Sequence, residues 1–134
     1  MAIKIIIDAT FGVLGRIASF AAKQSLLGKE VMIVNCNEAI ITGRPRKTIG
    51  DYQQARSRGG SSLKGPHSPK SPERVMKRTV RGMLSYKQKR GRDALKRVMC
   101  YNKTPEEYVD SEKISMKREI KSKTIKLSKL RDEL

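Results

Sequence analysis

The sequence predicts an α/β fold, and three observations carry that reading. Strand, helix and strand patterns follow one another within about 35 residues, the spacing of a βαβ unit and of parallel pairing. The strand runs are β-branched, whereas the apolar residues between them recur at three-to-four spacing. The length of 134 residues suits a single domain, 1–134, able to bury a core without disulfides or metals.

Ile3 to Ile7 reads as a buried strand closed by Asp8. Residues 13–27 read as a helix, with Leu14, Ile17, Ala18, Ala21 and Ala22 on one side and Gly28 as its stop. Val31 to Val34 is a second strand. Ile40-Ile41 is a short third, ended by Gly43; the link from Val34 is too short for a helical crossover, so its connection is unusual. Residues 46–58 predict a helix with Ile49, Tyr52 and Ala55 on one side. Between residues 58 and 72, glycines, serines and a proline at every third position predict a stiff basic surface loop, mobile in the free protein. Ser71-Pro72-Glu73 is a helix start: a capping hydroxyl, a proline in the first turn and an acid at the positive dipole end. Met76, Val80, Met83 and Leu84 form its apolar stripe. A short helical piece with Ala94 and Leu95 precedes a last strand, Val98 to Tyr101. Residues 105–134 read as a charged tail, with Ile125, Leu127, Leu130 and Leu134 giving it a weakly amphipathic helical end.

Charge is distributed unevenly along this scaffold. The chain carries 30 Lys and Arg against 13 Asp and Glu, a net charge of +17. Residues 42–104 alone hold eighteen bases and three acids, so nearly the whole excess lies in one segment. That pattern points to one basic face for a polyanion rather than a uniformly solubilising surface. The candidate contact residues are Arg16 and, in the basic segment, Arg44, Arg46, Lys47, Arg56, Arg58, Lys64, Lys70, Arg74, Lys77, Arg78, Arg81, Lys87, Lys89, Arg90 and Arg92. Arg74, Arg78 and Arg81, at helical spacing, are the strongest of them, because Arg pairs bidentately with phosphate where Lys is the usual solubiliser. Gly59, Gly60, Gly82 and Gly91 interleave these bases and read as permitting close backbone approach. Aromatic residues make up only 4% of the chain, which disfavours a base-stacking sheet.

Catalytic chemistry finds few groups. The one histidine, His67, lies between prolines in the basic loop. Asp51, Glu73 and Asp93 are isolated, whereas metal-dependent nucleases gather several carboxylates. Glu73 reads as a first-turn acid and Asp93 as an i+4 partner of Arg97. Asp8 follows a strand, where open sheets place catalytic groups, yet its simpler role is to cap the turn at Thr10. Gly12 and Gly15 read as letting the helix enter close to the sheet, without a dinucleotide or P-loop fingerprint. Arg16 opposes the helix dipole, which an outside anion or plain exposure explains. Cys36 and Cys100 form no C-x-x-C and read as free thiols in a reducing compartment. No apolar run approaches the ~18–20 residues of a membrane span, and the apolar start is too short for a signal peptide. Arg131 to Leu134 and the sequon at Asn102 are therefore not expected to act as retention and glycosylation signals. No metal, cofactor, membrane or small-molecule substrate is expected.

Ile7-Asp8-Ala9-Thr10, Gly15-Arg16-Ile17-Ala18-Ser19, Val34-Asn35-Cys36, Ile41-Thr42-Gly43 and Arg78-Thr79-Val80-Arg81-Gly82-Met83-Leu84, with Lys87, Arg90-Gly91 and Ala94-Leu95, resemble the universal large-subunit ribosomal protein thirteen family. The likeness runs from Ile3 to Tyr101, more weakly beyond, and the short link Leu27 to Val31 is of the archaeal and eukaryotic type. Phe11-Gly12 departs from the family's glycine-first order, so that turn is expected to differ. Ser85 stands where the family has proline, so a softer break between two basic helices is expected. The resemblance implies a three-layer α/β/α fold with a mainly parallel four-stranded sheet. It also implies a cytoplasmic, ribosome-bound role in subunit assembly and translation, with large-subunit rRNA and neighbouring ribosomal proteins as partners. The competing readings are a metal-dependent nucleic-acid-processing enzyme using Asp8 and Asp51, and a DNA-binding architectural protein.

Overall fold

The computed structural model describes residues 3–58 and 68–134. In chain order the elements are β1 (Lys4–Asp8), α1 (Leu14–Leu26), β2 (Glu30–Val34), β3 (Ile40–Thr42), α2 (Pro45–Ser57), α3 (Pro72–Gly82), α4 (Lys89–Lys96), β4 (Val98–Cys100), β5 (Ile114–Ser115), β6 (Thr124–Lys126) and α5 (Leu127–Glu133). The predicted βαβ unit forms as read: β1 and β2 pair in parallel, Ile5 opposite Val31 and Ile7 opposite Ile33. α1 buries Leu14, Ile17, Ala18, Ala21 and Ala22. It ends where Gly28 takes φ +91°, a left-handed conformation that suits glycine.

The four-stranded sheet has the order β4-β2-β1-β5, and each neighbouring pair is parallel. Its membership differs from the sequence reading in one strand. Ile40-Ile41 does not join it. A 3-10 turn, Cys36–Glu38, swings the chain away, and β3 pairs antiparallel with β6, Ile41 opposite Ile125. The remaining edge is supplied by β5, from the segment read as a charged tail. That segment is structural: Leu127 and Leu130, each 1% exposed, enter the main core.

Alternation along the strands divides the core between the two sheet faces. Ile7, Val31 and Ile33 meet α1, Val75, Met76 and Val80 of α3, and Ala94 of α4. Ile6, Met32 and Val34 face the other way, under Tyr101 and Tyr108, whose rings lie 6.2 Å apart. The β2–β4 register sets Ile33 opposite Cys100, and the Cys36 N–H donates to the Tyr101 carbonyl at 3.0 Å. Two cysteines distant in sequence thus become neighbours, both free. A hydrogen bond with the Cys100 thiol, then burial, push Cys36 up, so it remains a thiol.

Gly12 behaves as read, since a Cβ there would lie 2.7 Å from Ile17 Cδ1, whereas Gly15 has open space. Asp8 also behaves as read. Its Oδ1 accepts from the Thr10 N–H at 3.0 Å, the Thr10 hydroxyl at 2.7 Å and Asn35 Nδ2 at 3.1 Å. Burial raises its pKa, but these hydrogen bonds and nearby Lys113 outweigh that and leave it below the ordinary carboxylate value. Arg97 is not held by Asp93; its Nη1 donates to the Ser25 carbonyl at 2.8 Å, tying the end of α4 to α1.

Candidate nucleic-acid interface

The candidate interface is built on α3. Pro72 opens the helix with its φ preset, and the Ser71 carbonyl accepts from the Arg74 and Val75 N–H groups at 3.0 and 2.9 Å. The Ser71 hydroxyl makes no capping bond; instead the Asn102 side-chain oxygen accepts the Glu73 N–H at 3.1 Å. Val75, Met76 and Val80 face inward. Met83, read as part of that stripe, is 45% exposed because the helix has ended at Gly82 and Met83 turns out as its cap. Val75 takes the inner place that the sequence reading omitted.

Arg74, Arg78 and Arg81 are exposed along the outer side of α3. The Arg81 guanidinium stands 5.0 Å from the centroid of the Tyr86 ring. Stacking on a ring restrains a guanidinium and leaves its N–H edge outward. Tyr86 escaped sequence reading because it lies past the helix end, outside any periodic pattern. Lys77 lies on the same helix but turns inward. Its Nζ donates to the Leu95 carbonyl at 2.7 Å and to the Val98 carbonyl, and burial lowers its pKa.

The flanking elements add further cations. Lys87 precedes α4, and Lys89, Arg90 and Arg92 lie on it, all exposed. At Ser85 the two helices are separated by a hydrogen-bonded turn: Met83 and Leu84 N–H groups close onto the Val80 and Arg81 carbonyls, and a Cβ at Gly91 would collide with the Ser85 carbonyl. Gly91 therefore serves helix-to-turn packing rather than approach to a polyanion. Arg44, Arg46 and Lys47 are exposed at the start of α2, Arg56 and Arg58 at its end. α2 buries no residue fully; Ile49 and Tyr52 rest on the core, and Arg56 Nη1 donates to the Ser68 carbonyl at 2.9 Å. Tyr52, Ala55, Ser68, Pro69, Arg78 and Thr79 line a cavity of about 300 Å³ between α2 and α3. Burial raises the Tyr52 pKa, against a lowering contribution from Arg78. Arg16 is exposed in the first turn of α1, and Lys70 is exposed just before α3. Lys64, Gly59, Gly60, His67 and most of the proline-glycine loop lie outside the described residues.

Among the described residues, ion pairs within 4.0 Å are Lys4–Glu30 and Lys126–Glu38, so the described cations of the basic segment have no carboxylate partner among those residues. No group of three His, Cys, Asp or Glu among them is placed to hold a metal ion. No helix among them is long and apolar enough to cross a membrane. The surface is thus a fixed cationic face, suited to anion binding by charge-assisted hydrogen bonds.

A family model described as ribosomal protein L13 matches residues 3–107. The large ribosomal subunit protein uL13 of Methanosarcina barkeri is 46% identical over 112 residues, 83% of this chain and 79% of that protein. Its counterpart in Methanococcoides burtonii is 45% identical over 111 residues, with the same two shares. That of Thermoplasma volcanium is 47% identical over 109 residues, 81% of this chain and 79% of its own. These relatives are named as ribosomal proteins, not as enzymes. With the motifs from Ile7 to Leu95 lying inside the matched region, the chain belongs to the ribosomal protein L13 family.

Proposed function

We propose that the chain is a non-enzymatic constituent of the large ribosomal subunit that binds large-subunit rRNA through residues 42–104, contacts neighbouring ribosomal proteins and supports subunit assembly and translation. The reading places it on the cytoplasmic ribosome as one domain. One observation carries it: α3 holds Arg74, Arg78 and Arg81 outward, without a carboxylate partner, on a helix whose inner face is packed into the core. Folded RNA is read largely through phosphate, 2′-hydroxyl and shape, which many arginines and few aromatics suit. A rigid helix also loses less entropy on binding than a free tail of the same charge.

The test is the affinity of single variants for large-subunit rRNA fragments at one fixed salt concentration. Arg78→Ala and Arg81→Ala each weaken binding by about 1–3 kcal/mol, the range of charge-assisted hydrogen bonds. Lys123→Ala, at an exposed position between β5 and β6, loses much less. Equal small losses in all three folded variants mean that the charge acts only as a diffuse field. Equal affinity for duplex DNA means a general nucleic-acid binder.

A further inference from the structure

Phe11 sits at φ +54°, a left-handed conformation rarely adopted by a bulky residue. Its surroundings hold it there: the Phe11 N–H donates to the Glu38 carbonyl at 3.0 Å, and the Phe11 carbonyl accepts from the Arg118 N–H at 3.3 Å. The outcome is an aromatic residue that is 42% exposed. Backbone strain that the fold maintains in order to present a side chain is a pointer to function.

The ring borders a cavity of about 570 Å³, within the size range of small-ligand sites. Ile40, Ile120 and Ile125 give the cavity apolar walls, while Lys117, Arg118, Lys126 and Lys129 surround it with positive charge. No carboxylate lines it. Lys126 is fixed in place, its Nζ 5.0 Å from the Phe11 ring centroid and 2.9 Å from Glu38 Oε2. All four cations come from the C-terminal segment, whose charges nearly cancel in sequence and which lies beyond the matched residues 3–107. Folding gathers four of its eight bases around this cavity.

We infer that this cavity is a second RNA site, taking an unpaired nucleotide with its base against Phe11 and its flanking phosphates on Lys117, Arg118 and Lys129. A nucleotide joins a flat apolar ring to an anion, matching an aromatic wall rimmed by cations. The choice of RNA over an acidic peptide rests on the rRNA-binding reading above. The site differs in kind from the α3 face, which the reading above assigns to phosphates of folded RNA.

The full chain is titrated at one salt concentration with two labelled probes, an oligouridylate of eight nucleotides and an RNA duplex. Phe11→Leu weakens oligouridylate binding about tenfold, the scale of one lost base stack, and leaves duplex affinity within about twofold. The exposed pair Lys117→Gln/Arg118→Gln weakens oligouridylate likewise and reports on the site even if the Phe11 variant folds poorly. Oligouridylate affinity unchanged in both variants overturns the inference. Displacement of oligouridylate by octaglutamate as effectively as by unlabelled oligouridylate also overturns it, in favour of an acidic peptide. An Arg78→Ala/Arg81→Ala chain, titrated in parallel with the duplex, reports on the α3 face separately, so either site can fail while the other stands.

Discussion

The ammonium of Lys77 donates to the carbonyls of Leu95 and Val98, while the guanidinium of Arg78, one residue on, faces solvent. Sequence reading counted both as RNA-facing, because composition records a charge and not its direction. A step of one residue on a helix turns the side chain by about 100°, which is enough to send one cation inward and the next outward. Lys77→Met keeps the stem but removes the donor from two carbonyls. It lowers stability by about 1–3 kcal/mol in denaturant unfolding, and rRNA affinity stays within about twofold. A tenfold loss of affinity in the folded variant would place Lys77 on the interface instead. Local contacts were legible where partners are close in sequence, as with Asp8 and Thr10. They were not where the partner is remote, as with Arg97 and Ser25.

At the scale of elements, strong periodicity was readable and short strands were not. β1, α1 and β2 fall within a residue or two of the reading, because apolar runs of three and four residues bounded by charged or polar residues, joined by a three-to-four apolar repeat, have few alternative folds. The arginine face of α3 was legible for the same reason. β5 has two residues, both exposed, and β6 has three, following Lys123 and ending on Lys126, so neither carries a pattern. Only tertiary pairing with β1 and β3 makes them strands. The segment read as a tail therefore has a core role that a variant can expose. Leu130→Ala removes a 1% exposed side chain of α5. It costs about 2–5 kcal/mol of unfolding free energy, the range for buried leucines. A loss under about 0.5 kcal/mol would mean that α5 is only loosely attached.

Over the whole molecule, the charge segregation seen in sequence survives as geometry. Residues 1–41 and 105–134 are each close to neutral, and nearly all of the +17 excess belongs to residues 42–104, which carry α2, α3 and α4. Of the candidate cations in the described residues, all but Lys77 are exposed. The charged face was legible for that reason, and the proposed polyanionic partner rests on it. The cations around Phe11 were not, because bases and acids alternate along the C-terminal segment and only its path brings the bases together. Phosphate-dominated binding of large-subunit rRNA is tested most directly by the salt dependence of affinity. With about eight bases on phosphates, log affinity falls against log salt with a slope near −6 to −7, at ~0.7–0.9 per contact. A slope near zero, with the protein folded throughout, contradicts binding through the arginine face.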